Sequence, residues 1–126
     1  MARVRRNGGK TAMAYTLTEG HFSTEDEARS EIEARGWRAI TIDLDAAESD
    51  LHWHDFDAVL YVLDGTATVE FADGSMMSCG AGARVETPAG VLHKEHGDGY
   101  RAVIGLAVDP TEMTHPINKT PESLNA

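Results

Sequence analysis

The segment LHWHDFDAVLYVLDG, residues 51–65, governs how the rest of the sequence is interpreted. It opens with two histidines one residue apart, continues into an apolar run and ends in an Asp-Gly pair. In an extended chain, side chains two residues apart point to the same side. His52 and His54 would then direct their imidazoles into one space, with Trp53 on the opposite side. Two imidazoles on one strand are half of a transition-metal site, so the fold must supply a further ligand.

The whole chain has 126 residues, which is enough for one domain with a single core. It is 41% hydrophobic and 25% charged, and it has no apolar run long enough to cross a membrane. Its net charge of −10 disfavours nucleic acid and anionic membranes as partners. No signal peptide is visible, and Cys79 is the only cysteine, which excludes an internal disulfide. We therefore expect a cytoplasmic protein.

The first third of the chain predicts an arm, a strand and a helix. Residues 1–10 carry four basic side chains around two glycines and are expected to be a mobile arm. Residues 11–17 are typical of a short strand. Ser23 is the expected N-cap of a helix over about residues 24–35, with acidic side chains in its first turn and Gly36 at its end. Because most of this helix is charged, we expect it on the surface.

The rest of the chain predicts β structure. Between residues 38 and 108, short apolar or alternating segments are separated by glycine-containing turns at intervals of about 8–12 residues. The Asp-Gly pairs at 64–65 and 73–74 predict two tight hairpins. Residues 66–71 alternate apolar and polar side chains, which is typical of a half-buried strand. Residues 109–126 are expected to be an irregular tail, so we predict an all-β barrel with one helix near its N-terminus.

A second informative segment is GARVETPAGVLH, residues 82–93. It predicts a strand, then a Pro-x-Gly turn, and then a short strand at residues 91–94 that contains His93. Together with the first segment it resembles the two sequence motifs of the cupin family, and the second motif keeps all its internal spacings. The matching residues are His52, His54 and Gly65 in the first motif and Gly82, Pro88, Gly90 and His93 in the second.

The resemblance implies a small, single cupin domain over residues 1–126. Its fold would be the cupin-type double-stranded β-helix, a jelly-roll barrel, with the barrel itself over residues 38–108. In this family the histidines of the two motifs bind a metal ion together. The resemblance therefore implies that His52, His54 and His93 are the metal ligands.

Three positions depart from the cupin motifs. Ala46 stands where the first motif has a glycine, and Gly97 stands where the second has an asparagine. Ala58 stands where many metal-binding cupins have a glutamate as fourth ligand, and alanine cannot bind a metal. The neighbouring Asp57 would face the wrong side of a regular strand, although a β-bulge would redirect it. The sequence therefore predicts three histidine ligands and no carboxylate.

Three further residues are candidates for contacts around the metal ligands. Asp57 is either a solvated loop residue or a group that hydrogen-bonds a ligand. Glu86 would accept a hydrogen bond from the ring of His93 if it pointed inward, but its place in the strand favours the outward direction. His96 either contacts a substrate or lies exposed in a loop. No catalytic residue beyond the ligands is assigned.

Three neutral imidazoles suit Fe, Zn, Ni or Cu and leave coordination positions open. Without a carboxylate the cation keeps its full charge and favours an anionic ligand. Similar three-histidine cupins use Fe(II) and O₂, so the resemblance implies a metal-dependent dioxygenase that acts on a small anionic molecule. Two alternatives stay open: a Zn- or Ni-dependent isomerase, cyclase or lyase in which the metal is a Lewis acid, and a small-molecule-binding cupin without catalytic activity.

The expected partners are therefore a small molecule and a second copy of the chain. Small cupins resemble one another in forming homodimers, either by adding an edge strand such as residues 11–17 to the neighbour's sheet or by burying an apolar sheet face. A sheet edge left open would otherwise invite aggregation.

Overall fold

The computed structural model describes residues 15–45, 49–96, 98–109 and 119–124. The strands are β1 (Thr16–Thr18), β2 (Arg38–Asp45), β3 (Ala58–Gly65), β4 (Ala67–Phe71), β5 (Met76–Cys79), β6 (Arg84–Thr87), β7 (His93–His96) and β8 (Gly99–Leu106). The helices are α1 (Glu25–Ala34) and α2 (Pro121–Leu124). The strands form two antiparallel sheets, with the orders β1-β6-β3-β8-β2 and β5-β4-β7. This confirms the predicted all-β jelly roll.

The main core lies between the two sheets. Leu60 and Val62 of β3 belong to the same buried cluster as Val69 of β4. Strand β4 follows the predicted alternation, since its buried residues are Ala67, Val69 and Phe71. Strand β3 is buried on both sides, because its other apolar side chains face outward and are covered by α1. The apolar run after the two histidines is thus the central strand of the larger sheet.

Helix α1 covers the outer face of the five-stranded sheet. Ala28 and Ile32 are fully buried and pack on Val59, Tyr61 and Val103. The thin apolar stripe of this acidic helix therefore meets the sheet, while its charged residues face solvent.

The start of α1 differs from the prediction by one residue. Its N-cap is Thr24 and not Ser23, because Thr24 forms a capping box with Glu27. The Glu27 N–H donates to Thr24 Oγ1 at 3.1 Å, and the Thr24 N–H donates to Glu27 Oε1 at 3.0 Å. The carboxylate three residues after Thr24 decides between the two possible caps.

The predicted hairpin at residues 64–65 is wrong. Gly65 is the last residue of β3, where it pairs with Tyr100 of β8, and the chain then crosses to the other sheet. Gly65 has φ of +83°, and a Cβ atom there would lie 2.5 Å from the carbonyl oxygen of Gly99. Only glycine fits this close crossing. The hairpin at residues 73–74 is confirmed, since it joins the antiparallel strands β4 and β5.

Some expectations lie outside the described residues: the arm at residues 1–10, the beginning of the strand at 11–17, the motif positions Ala46 and Gly97, and most of the tail. The end of the strand at 11–17 appears as β1 at one edge of the larger sheet. The homodimer stays a prediction. Within the described residues, no helix has the length and apolarity needed to cross a lipid bilayer.

The described part of the tail is more regular than predicted. Lys119 and Trp53 form an antiparallel bridge, with N–H···O distances of 2.9 and 3.1 Å. The indole N–H of Trp53 donates to the carbonyl of Thr120 at 2.9 Å, and α2 follows directly. The segment at residues 119–124 therefore braces the histidine segment from the side of Trp53.

Gly105 of β8 lies beneath α1, where a side chain would collide with buried neighbours. A Cβ atom there would lie 2.8 Å from Val59 Cγ1 and 2.9 Å from Cγ1 and Cγ2 of Ile32. We expect Gly105→Ala to lower the free energy of unfolding by about 1–3 kcal/mol, because both neighbours are fully buried and have little room to move. Urea unfolding curves measure this change.

The matched control for this prediction is Gly80→Ala, because the nearest atom to a Cβ there is the Gly65 carbonyl oxygen at 3.6 Å. Its free energy of unfolding should stay within about 1 kcal/mol of the unsubstituted protein. Equal stability of the Gly105 and Gly80 variants would contradict close packing of α1 on β8.

Candidate metal centre

The site forms where residues 52–54 meet the beginning of β7. His52 and His93 face each other in an antiparallel bridge: the His52 N–H donates to the His93 carbonyl at 2.8 Å, and the His93 N–H donates to the His52 carbonyl at 2.9 Å. The Gly90 N–H of the Pro-x-Gly turn donates to the His54 carbonyl at 2.8 Å. The two motif segments are thus joined through their backbones, and this pairing brings their side chains together.

The structure places the three predicted histidines in one cluster. Each offers a ring nitrogen, and these nitrogens all lie within 4.8 Å of one another. The ring of His52 lies 4.4 Å from that of His93 and 5.0 Å from that of His54, between centroids. His52 is 6% exposed and His93 is 3% exposed, and the ring of His54 stacks on Phe56. Three buried or half-buried imidazoles this close together fit the donor set of a divalent transition metal.

Backbone hydrogen bonds orient two of the three rings. His52 Nδ1 lies 2.7 Å from the carbonyl oxygen of Asp50, and His93 Nδ1 lies 2.9 Å from that of Val91. A carbonyl oxygen only accepts, so both Nδ1 atoms carry the proton and donate. The lone pair of each Nε2 is then free to bind a metal ion, which is the usual arrangement of metal-binding histidines.

Glu95 places a carboxylate beside the three histidines. Its Oε2 lies 3.6 Å from Nε2 of His93 and 3.7 Å from Nε2 of His52. The neighbouring ring of His93 lowers the pKa of Glu95 and outweighs the opposing effect of burial, and His52 and His54 act in the same direction. Glu95 is therefore an ionised carboxylate at neutral pH. The group that could hold a metal ion consists of the three histidines without a carboxylate, as predicted, and Glu95 lies beside it.

The sequence carried a signal for Glu95. Residues two apart in a strand point to the same side, so Glu95 follows His93 inward as His54 follows His52. The predicted strand ends at Lys94, two residues before β7 ends at His96, so it does not include Glu95. The strand continues because Glu95 and His96 pair with Val69 and Thr68 of β4. On the other side, the Glu95 N–H donates to Ser49 Oγ at 2.8 Å and the Ser49 N–H donates to the Glu95 carbonyl at 2.9 Å.

Two of the other candidate residues are engaged outside the histidine cluster. Oδ1 of Asp57 accepts a hydrogen bond from the N–H of Ala89 at 2.9 Å and so holds the Pro-x-Gly turn in place. Glu86 forms ion pairs with Arg35 and Arg84 on the side of the sheet that faces α1. The inward orientation that would let Glu86 contact His93 is therefore wrong, and the strand parity favoured the correct side.

The third candidate residue, His96, is also directed away from the cluster. Its Nε2 lies 2.7 Å from Oε1 of Glu70, on the polar side of β4. It is half-buried in β7 and not exposed in a loop as one alternative had it. Its contact with Glu70 joins two strands of the smaller sheet.

A cavity of about 480 Å³ extends from the histidines between the two sheets. Tyr15 and Tyr100 line it beside the metal cluster, and the ring of Tyr15 lies 5.3 Å from that of His93. Burial, reinforced by the charge of Glu95, raises the pKa of both phenols. Both tyrosines therefore keep their protons at neutral pH and can donate hydrogen bonds. No local sequence pattern indicates either residue, since both reach the site through tertiary packing.

Comparison with known proteins agrees with the resemblance to cupins. The family model described as "Cupin domain" matches residues 40–109. A DUF861 family protein from Thermotoga maritima is 18% identical, with 73% of this chain and 98% of that chain covered and a TM-score of 0.53, which shows a shared fold. A protein from Neisseria meningitidis is 28% identical, with 56% and 74% covered and a TM-score of 0.50. An RmlC-like cupin from Shewanella frigidimarina is 25% identical, with 61% and 71% covered and a TM-score of 0.50.

No curated protein matches the chain. The range matched by the family model is 70 of the 126 residues and contains all three clustered histidines. The two facing antiparallel sheets are those of a jelly roll, and the solved structures share this fold. The chain therefore belongs to the cupin family.

Proposed function

We propose that the protein is a metal-dependent enzyme that acts on a small molecule. The observation that carries this proposal is the convergence of His52, His54 and His93 in the lining of a cavity between the two sheets. A metal ion bound there would act as a Lewis acid and would polarise an oxygen atom of the substrate. The cavity would hold the rest of the molecule and exclude bulk water.

The presence of Glu95 changes the preferred reaction class. The absence of a carboxylate among the ligands favours a dioxygenase, but Glu95 places a carboxylate next to the ligands, where it can act on a bound substrate. We propose that Glu95 accepts a proton from a substrate carbon next to a polarised carbonyl group, as a general base. Tyr15 and Tyr100 are protonated and would hydrogen-bond the substrate oxygen. These roles describe a Zn- or Ni-dependent isomerase, cyclase or lyase.

A second candidate is the Fe(II)-dependent dioxygenase implied by similar three-histidine cupins. The observation in its favour is the apolar character of the cavity wall next to the cluster, where Phe56 stacks on His54 and Leu60 and Ile104 line the interior. An apolar wall excludes water from the site. In this case Glu95 would orient the substrate by accepting a hydrogen bond.

We expect His93→Ala to remove the metal. The apparent affinity of the variant for the metal should be lower by more than about 100-fold. Losing a residue that only hydrogen-bonds a metal ligand already lowers the metal affinity by about 10–100-fold. The measurement is elemental analysis of protein purified without a metal-chelating tag. His21→Ala is the matched control, since His21 contacts Glu31 of α1 and lies outside the cluster. Full metal content in the His93 variant would exclude this ligand set.

We expect Glu95→Gln to keep its metal and to lose proton transfer. Glutamine has a similar shape but cannot act as a base, so the rate should fall by about 10²–10⁴-fold. The measurement is deuterium incorporation from D₂O into a panel of 1,3-dicarbonyl and α-hydroxycarbonyl compounds, followed by NMR. Glu70→Gln is the control, because Glu70 contacts His96 away from the cavity. Exchange at the unsubstituted rate in the Glu95 variant would refute its role as base.

The reaction class is decided by the metal and by O₂ uptake with the same panel. Deuterium exchange by zinc- or nickel-loaded protein without O₂ consumption supports the isomerase or lyase. O₂ consumption in proportion to product by iron-loaded protein supports the dioxygenase. Compounds that bind and return unchanged, with neither exchange nor O₂ uptake under any of these metals, contradict both enzymes and support the non-catalytic alternative.

A further inference from the structure

The cavity lining combines one polar cluster with a largely apolar wall. The polar cluster consists of the three histidines, with Glu95, Tyr15 and Tyr100 also in the lining. The wall that the larger sheet contributes consists of aliphatic side chains from three strands: Ile40 and Ile42 of β2, Leu60 of β3, and Ile104 and Leu106 of β8. A ligand whose polar group binds at the histidines must therefore place the rest of its body against aliphatic carbon.

The described lining of the cavity carries few charged side chains. Among the described residues that line it, Glu95 is the only acidic one and none is a lysine or arginine. Arg84 lies next to Val85, which lines the cavity, but it does not reach the cavity itself. Its side chain faces the other side of the sheet, where it contacts Tyr61 and Glu86. A second anionic group on a ligand would thus meet no cation from the described part of the cavity lining.

The neutral polar groups do not replace a cation. Ser49 uses its hydroxyl to accept the N–H of Glu95, and the other aliphatic hydroxyls of the lining are those of Thr87 and of Thr68, which bonds Ser78. Removing a carboxylate or phosphate from water without a positive partner is strongly unfavourable. The carboxylate of Glu95 adds repulsion at the histidines, where the metal would compensate only one negative charge of the ligand.

We infer that the site takes a molecule with a single metal-binding head group, at most one negative charge and an apolar alkyl or aryl body. This inference rests on the proposed metal function and narrows the expected small anionic molecule to a hydrophobic one. It disfavours phosphorylated, dicarboxylic and polyhydroxylated substrates. The volume of about 480 Å³ is sufficient for a body of this kind and lies in the range of small-molecule sites.

The test compares ligands that share a head group and differ at the other end. Octanoate, the dicarboxylate suberate of equal length, and acetate are titrated into zinc-loaded protein by calorimetry. We expect octanoate to bind at least about tenfold more tightly than suberate, because the second carboxylate is desolvated without a partner, and more tightly than acetate, which lacks the apolar body. Suberate binding as tightly as octanoate, or no binding of octanoate, overturns the inference.

A pair of charge variants tests whether the wall sets this preference. Leu44 lines the cavity and is 38% exposed, so Leu44→Lys should fold while it adds a cation to the lining. We expect the preference for octanoate over suberate to shrink at least about threefold in this variant. Met76→Lys is the matched control, because Met76 is 58% exposed and does not line the cavity. An equal shift in both variants would contradict an effect of the wall.

Metal content, measured on the same samples, separates this inference from the proposed function. Octanol and 1,8-octanediol are titrated into metal-free protein, where the head group needs no cation. Tighter binding of octanol in a protein that fails to retain zinc would leave the ligand class standing and would overturn the metal proposal. The opposite result is that zinc is retained while the diol binds as tightly as octanol and suberate as tightly as octanoate. This result would overturn the ligand class alone.

Discussion

The backbone pairing of His52 with His93 is the constraint on which the site depends. Two segments 41 positions apart in the sequence exchange two N–H···O hydrogen bonds at these residues. The pairing brings the two residues together, and each segment then orients its own ring, because each Nδ1 donates to a carbonyl two residues earlier. The geometry of the cluster therefore comes from the main chain, and the identity of the donors comes from the side chains that it carries.

The fold was largely predictable because local pattern and tertiary environment agree over most of the barrel. Alternation in β4 identified the buried face correctly, and Asp73-Gly74 forms the expected hairpin. Asp64-Gly65 misled because the same dipeptide suits a tight turn and a positive-φ strand end. What distinguishes them is the close approach of Gly65 to Gly99 and Tyr100, and this contact depends on the register between β3 and β8.

The site was predictable as far as motif spacing reaches. The three histidines are brought together as the cupin motifs imply, whereas Glu95 depended on where β7 ends, and strand ends are poorly marked in sequence. β7 extends beyond Lys94 through its pairing with β4, and Ser49, a residue of a loop that carries no strand signal, bonds Glu95 on the other side. Tyr15 and Tyr100 enter the cavity from opposite ends of the chain, so no local pattern relates them to the histidines.

The brace formed by residues 119–124 gives the C-terminus an influence on the metal ligands. Trp53 sits between His52 and His54, and both its backbone and its indole are hydrogen-bonded to this segment. A protein truncated before Lys119 would lose these bonds and leave the first two ligands on a segment anchored from one side only. Trp53 and Thr120 lie 67 positions apart in the sequence, so a change near Thr120 would reach the histidine segment through these hydrogen bonds.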